Sequence, residues 1–91
     1  MEKQRELQLE KEIGEMLVEL KQAELDECKA EGVEATFENF KKDTLKYAQL
    51  YLDGIEFTEQ EQKDFNPHNY TISGEMYVLL DRLVEKMRSS W

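Results

Sequence analysis

The hydrophobic pattern is clearest in residues 36–53, where apolar and aromatic side chains recur at intervals of three and four residues. This is the spacing of one face of an α-helix. The face contains Phe37, Phe40, Thr44, Tyr47, Ala48 and Tyr51, with Leu45 and Leu52 beside it. Together these side chains span an arc of roughly 160°, wider than the apolar stripe of an ordinary surface helix. We therefore expect a central helix that contacts at least two neighbouring segments.

A longer helical pattern precedes it in residues 4–31, which contain no proline and are rich in Glu, Lys, Gln, Leu and Ala. These residue types have high helix propensity. The main apolar face consists of Leu9, Ile13, Met16, Leu17, Leu20 and Ala23. We expect this face to pack against the helix of residues 36–53.

The first helix also has a second, thinner apolar line on nearly the opposite side, formed by Leu7, Val18 and Leu25 together with Gly14. Two interpretations remain open. Single exposed apolar residues are common on folded proteins and need no explanation. Alternatively the line is a seam for a second copy or another protein, because a long helix in so small a domain projects beyond what its own chain can cover.

Helix boundaries are marked by Gly32 and Thr36, which are suited to end the first helix and to cap the second. Gly54 ends the second helix in the same way. In the connector, Thr58 and Glu61 have the spacing of a capping box, which predicts a short helix over residues 58–64. An alternative pairs residues 55–58 with residues 69–72 as two short strands, because apolar residues alternate in both.

The last helix is predicted over residues 73–89, with Ser73 as its cap. Its apolar stripe contains Met76, Leu79, Leu80, Leu83, Val84 and Met87. Trp91 follows, and it either folds back on Met87 or stands free as an interface anchor. The predicted fold is therefore all-α: one domain of residues 1–91, a small three- to four-helix bundle with a long N-terminal helix. A minor two-strand element in the connector is the remaining variant.

Charge narrows the classes of partner, because 12 basic and 21 acidic residues give a net charge of −9. Such a chain repels phosphate backbones and anionic lipid and favours cationic partners. The N-terminal residues are charged throughout, and no stretch approaches the ~20 apolar residues of a membrane span. Cys28 is the single cysteine, which excludes an internal disulfide. We expect a cytoplasmic protein that binds neither membrane nor nucleic acid directly.

Acidic residues at helical spacing raise the question of a metal site. Glu12, Glu15 and Glu19, and then Glu24 and Glu27, lie three or four residues apart. A helical carboxylate site needs matching acids on a facing helix, because one helix cannot surround an ion. Within the second helix, Glu38 and Asp43 do not form a matching pair. We therefore predict no metal site and no cofactor.

Two further kinds of site are weighed against the sequence. Cys28 and His68 lack the flanking residues of a known nucleophile motif, so no catalytic pair is predicted. Residues 70–87 look superficially like the second helix of a helix-turn-helix, with polar residues at the start and a Leu-rich back. Glu75 occupies that start, however, where groove insertion calls for basic or amide side chains.

Three functional hypotheses follow. The first is a small acidic non-enzymatic regulator or inhibitor that binds protein and forms a homodimer. Its expected interface residues are Leu7, Val18, Leu25 and Trp91, with Glu15, Glu19 and Glu27 steering basic surfaces. The second is an acidic decoy of the phage or mobile-element type, which imitates DNA through Glu59, Glu61 and Asp64 and so blocks a nucleic-acid-binding host enzyme. The third is a Mg-dependent enzyme of the helical carboxylate class.

Overall fold

The fold is an all-α bundle of four helices, as predicted. A computed structural model describes residues 3–91. The elements are α1 (Lys3–Glu31), α2 (Phe37–Leu52), α3 (Glu59–Phe65), α4 (Gly74–Lys86) and a 3₁₀ turn at Arg88–Ser90. The long axis of the molecule measures 44 Å, which matches the ~43 Å expected for a helix of the length of α1. The other helices are shorter, with 16, 7 and 13 residues against 29 in α1.

The predicted caps are present. Gly32 and Gly54 adopt the left-handed conformation, with φ of 74° and 79°, at the ends of α1 and α2. The Thr36 hydroxyl accepts a hydrogen bond from the backbone N–H of Asn39, and the Ser73 hydroxyl accepts one from that of Met76. These bonds satisfy N–H groups that have no partner inside the helix.

The capping box predicted in the connector also forms. The Thr58 hydroxyl accepts from the Glu61 N–H at 3.1 Å, and the Glu61 carboxylate accepts from the Thr58 N–H at 3.0 Å. This reciprocal pair fixes the start of α3.

The alternative pairing of two strands in the connector is wrong for residues 3–91, in which no strand is present. The buried side chain of Asn66 explains why. Its amide donates to the Tyr70 carbonyl at 2.7 Å and accepts from the Tyr70 N–H at 3.0 Å. Tyr70 therefore gives to a side chain the backbone groups that a strand would give to its neighbour.

The core is built around α4, which packs against both α1 and α2. This corrects the prediction that α2 is the central helix. Ion pairs between Lys41 and Glu85 and between Glu38 and Arg88 show that α2 and α4 run antiparallel. The buried cluster consists of Ile13, Leu17, Phe37, Phe40, Ala48, Met76, Leu79, Leu80 and Val84.

The wide apolar arc of α2 is divided between two clusters. Phe37, Phe40 and Ala48 enter the core, whereas Tyr47 and Tyr51 face the connector. Tyr47 lies with its ring centroid 4.3 Å from that of Phe65, and Tyr51 stacks on Phe57 at 4.4 Å. The second neighbour of α2 is thus the connector with α3.

Trp91 packs back on the bundle, so the free-standing alternative for this residue is wrong. Its ring centroid lies 5.2 Å from that of Phe40 and 6.0 Å from that of Phe37. The indole N–H donates to the Ala35 carbonyl at 3.2 Å. The α-helix ends at Lys86 rather than at residue 89, and the 3₁₀ turn after it directs Trp91 toward α2.

Candidate interaction surface

The second apolar line of α1 lies largely in solvent within the structure. Leu7 is 56% exposed and Val18 is 64% exposed. Leu25, the third predicted residue, is only half-buried. A side chain at Gly14, on the same face, would meet no atom within 4 Å. The continuous helix thus places the three aliphatic residues on one accessible face.

Lysines surround these aliphatic residues. All four lysines of α1, namely Lys3, Lys11, Lys21 and Lys29, lie within about 40° of the direction of Leu7 around the helix axis. Every acidic residue of α1 lies about 60° or more from that direction. We call the eight residues Lys3, Leu7, Lys11, Gly14, Val18, Lys21, Leu25 and Lys29 the α1 line. On a chain of net charge −9 this face is basic.

Lys21 connects the α1 line to the C-terminal turn. Its ammonium donates to the Ser90 carbonyl at 3.2 Å and lies 4.7 Å from the centroid of the Trp91 ring. A cation over an indole face is attracted by the ring quadrupole. Trp91 therefore packs against the bundle and contacts the Lys21 side chain of the α1 line, instead of projecting from the surface.

The six predicted acidic surface residues are all exposed, but several have structural partners. Glu15 and Glu27 project from α1 without an ion pair among the described residues. Glu19 bonds His68 Nε2 at 2.8 Å, and Glu59 pairs with Lys63 at 3.5 Å. Glu61 belongs to the capping box, and Asp64 accepts from the Gln60 amide at 2.8 Å. Glu61 is therefore needed for the fold of α3 as well as for surface charge.

The connector brings Tyr70 beside the acids of α1. Burial, and after it the nearby carboxylates of Glu12, Glu15 and Glu19, raise the pKa of the Tyr70 phenol. His68, which bonds Glu19, stacks on Tyr70 with 5.9 Å between ring centroids. The acids of α1 and the connector thus belong to one continuous surface.

Two sites weighed in the sequence, a metal site and a reactive thiol, can be compared with the geometry. Among residues 3–91, no group of three or more His, Cys, Asp and Glu side chains is arranged to hold a metal ion. The Cys28 thiol lies 3.6 Å from the Glu24 carboxylate, and burial and then this carboxylate raise the pKa of the thiol. A raised pKa favours the protonated thiol, which is a weaker nucleophile than the thiolate.

A small cavity lies inside the bundle, between Met16, Thr44, Asn66 and Met76 among others. Its volume of about 10 Å³ holds at most one water molecule. The described part of the chain therefore presents this cavity as a packing defect rather than as a ligand pocket.

Four exposed aliphatic residues were missed at the sequence level. Val33 is 55% exposed, Leu52 37%, Ile55 51% and Val78 68%. Val33 and Ile55 each follow a glycine that ends a helix, and a hydrophobic residue at this position often folds back on the preceding helix. Here both stay in solvent. Val78 lies outside the apolar stripe of α4. Its exposure could therefore have been predicted from its position in the sequence pattern.

Comparisons with protein-family models, with curated proteins and with solved structures found no match to this chain. Among the described helices, none has a segment of sufficient length and hydrophobicity to cross a membrane. The functional proposals below therefore rest on the geometry and the charge of the surface.

Proposed function

We propose that this protein is a small non-enzymatic regulator or inhibitor that acts in the cytoplasm by binding protein, and that it self-associates. The observation that supports this most directly is the exposure of Leu7 and Val18 on the face of α1 that points away from the core. Burying such side chains is worth roughly 1.5–3 kcal/mol each. Because Leu7 and Val18 are already partly covered in the single copy, a partner that buries them gains a part of this free energy.

The α1 line combines three aliphatic side chains with four lysines on one face of the helix. Its aliphatic residues repeat along the helix at Leu7, Val18 and Leu25, so they can contact a partner as one strip. The flanking lysines provide charges at the rim, where they steer an encounter and select the partner. The acidic side with Glu15 and Glu27 steers a different, basic surface.

Light scattering of the wild type over a range of concentrations tests the proposal. We expect a mass that rises with concentration and a Val18→Glu variant that remains monomeric with unchanged helix content. Val78→Glu is the matched control, because Val78 is a similarly exposed valine on α4. A wild type that stays monomeric, or equal loss of association in both variants, would contradict the proposal.

A second candidate function is the acidic decoy that blocks a nucleic-acid-binding protein. It is supported by the distribution of charge: residues 47–81 contain seven acidic residues and a single basic one, Lys63. The contact of His68 with Glu19 joins this segment to the acids of α1. A continuous acidic surface can occupy a channel built for phosphates.

Competition with DNA for the DNA-binding proteins of the native host tests the decoy. We expect displacement of DNA that weakens steeply between about 50 mM and about 500 mM salt. The variant Glu59→Lys/Asp64→Lys should no longer displace DNA. Glu61 is left intact in this variant because its carboxylate caps α3. Glu34→Lys/Asp43→Lys carries the same change in charge outside residues 47–81 and should still compete. Displacement that does not depend on salt would argue against a decoy.

A further inference from the structure

A second exposed apolar patch lies at the end of α2. Its charged side chains are acidic, whereas those of the α1 line are basic. Residues 52–56 are all exposed, and they contain two aliphatic and two acidic side chains with no basic one. Leu52 and Ile55 contribute the apolar surface, with Asp53 and Glu56 beside them. We call residues 52–56 the acidic corner.

The acidic corner is held in place by backbone hydrogen bonds to the last turn of α2. The Ile55 N–H donates to the Leu50 carbonyl at 3.1 Å, and the Gly54 N–H donates to the Tyr51 carbonyl at 3.1 Å. The left-handed Gly54 allows the chain to turn back over the helix end in this way. Ile55 therefore projects from a fixed backbone.

The helix dipole adds to the negative potential at this corner. The carboxyl end of an α-helix carries a partial negative charge, which a basic side chain in the last turn usually balances. The last turn of α2 has no basic residue. The corner thus combines two carboxylates with an unbalanced helix end and attracts an external cation.

We propose that the α1 line of one copy of this protein binds the acidic corner of a second copy, head to tail. Leu52 and Ile55 of the second copy cover Val18 and its neighbours, and lysines such as Lys11 approach the corner carboxylates and the end of α2. The proposal rests on the proposed function, and it names the partner and both surfaces.

A symmetric contact between two α1 lines is the main competing arrangement, and charge disfavours it. An antiparallel pairing that sets Leu7 opposite Leu25 also sets Lys11 opposite Lys21. A parallel pairing sets each lysine opposite its own equivalent. Like charges placed across an interface are unfavourable, whereas the acidic corner supplies the complementary charge.

Because the two surfaces differ, each copy can engage one neighbour through its α1 line and another through its acidic corner. Such contacts give open chains, or rings where the rotation closes. The corner is small compared with a standard interface of about 1,600 Å². We therefore expect weak association that depends on concentration and decreases with salt.

Sedimentation velocity of two complementary variants tests the arrangement. Val18→Glu disables the α1 line and keeps the corner, whereas Ile55→Lys/Glu56→Lys disables the corner and keeps the line. We expect each variant alone to be monomeric. An equimolar mixture should form a dimer and nothing larger, because one intact line and one intact corner remain. Val33→Lys/Glu34→Lys is the matched control, since Val33, like Ile55, is an exposed aliphatic residue followed by a glutamate. This control should associate like the wild type.

The remaining outcomes separate this inference from the proposed function. If Val18→Glu is monomeric but the corner variant still associates, the head-to-tail contact is wrong and protein binding through α1 stands. A mixture no larger than its components also overturns the contact. A monomeric wild type that sediments with phosphatidylserine vesicles through Val18 identifies a membrane as the occupant and overturns both. A monomeric wild type without vesicle binding overturns both as well.

Discussion

At the scale of single residues, Asn66 determines the course of the connector. It is 2% exposed, and its amide is satisfied by the backbone of Tyr70. The Asn66 carbonyl accepts bonds from the Gln62 side chain and from the backbone N–H of Asn69, which adopts a positive φ of 54°. These bonds set the turn that brings His68 to Glu19. A buried amide whose nitrogen and oxygen both have hydrogen-bond partners favours one conformation over others.

Replacement of Asn66 by aspartate should be strongly destabilising. The carboxylate keeps the acceptor for the Tyr70 N–H but loses the donor to the Tyr70 carbonyl, at a distance of 2.7 Å in the wild type. A buried carbonyl without a donor, next to a buried negative charge, costs about 2–4 kcal/mol. Urea denaturation measures the loss, with the exposed Asn39→Asp as the control. A cost below about 1 kcal/mol would show that water replaces the bond.

Glu85 should make stability depend on pH in the acid range. Hydrogen bonds from Arg88 and then from Lys41 lower the pKa of its carboxyl to about 2. The folded protein therefore binds this proton less readily than the unfolded chain does. The contribution of Glu85 to stability is complete above a pH of about 4.5 and is lost as the pH falls toward 2. Because the side chain is 47% exposed, salt reduces the effect.

The corresponding variant is Glu85→Gln, which breaks the ion pair with Lys41 between α2 and α4 and the pair with Arg88 in the following turn. We expect a lower Tm than the wild type at pH 7, and a difference that narrows as the pH falls from about 4.5. Thermal unfolding followed by circular dichroism measures it, and Glu27→Gln controls for the loss of one negative charge. A difference that stays constant across this range would mean that the carboxylate contributes nothing through its charge.

At the scale of elements, the sequence predicted the helices well, and their neighbours poorly. Periodicity and caps depend on residues close in the chain, so α1, α2, α3 and α4 appear near their predicted bounds. A stripe shows which face is buried but not which helix covers it. The two aromatic rings of Tyr47 and Tyr51 fit the α2 arc equally well whether they face a helix or a connector. The prediction that α2 is the central helix rests on this ambiguity, whereas the helix that packs against both α1 and α2 is α4.

In the candidate surface, too, the features that follow from helix periodicity could be predicted, whereas the features that depend on tertiary packing could not. The exposure of Leu7 and Val18 follows from their angle on α1, and the lysines beside them could have been found by sorting the charges by the same angle. The packing of Trp91 on Phe40 could not have been predicted from the sequence, because it depends on a 3₁₀ turn after α4. The acidic corner likewise requires that Ile55 stays uncovered, which is decided by the tertiary structure.

α3 offers a test of stability within one element. None of its residues is buried, and it contacts α2 through the ring of Phe65 on Tyr47 and through the hydrogen bond that the Tyr51 hydroxyl donates to the Gln62 side chain. Thr58→Ala removes the side-chain cap and should cost about 1 kcal/mol. Since few core contacts are involved, amide exchange should accelerate in residues 59–65 and not in α4. Thr58→Ser should restore protection, and equal loss in α4 would show that α3 does not open by itself.

At the scale of the whole molecule, ion pairs and net charge act in opposite directions. Arg82 contacts Glu6 and Glu10 of α1, and the Glu38, Lys41, Glu85 and Arg88 side chains join α2 to α4. These pairs are exposed or partly exposed, and such pairs contribute about 0–1 kcal/mol each. The remaining acids repel one another across a molecule whose radius of gyration is 13.3 Å. At low salt this repulsion extends over the whole protein.

We therefore expect the Tm at pH 7 to rise with salt. Raising NaCl from about 10 mM to about 500 mM shortens the Debye length from about 30 Å to about 4 Å, which screens the repulsion of 21 acids more than it weakens the ion pairs. The rise should be about 4 °C or more, as a change of ~1 kcal/mol produces in a chain of this size.

Calorimetry with MgCl₂ at matched ionic strength separates screening from ion binding. Equal rises indicate screening alone, whereas a larger rise with Mg²⁺ that disappears in Glu24→Gln would support the carboxylate enzyme instead. A Tm that falls with salt would mean that the ion pairs, and not the net charge, dominate the electrostatic free energy.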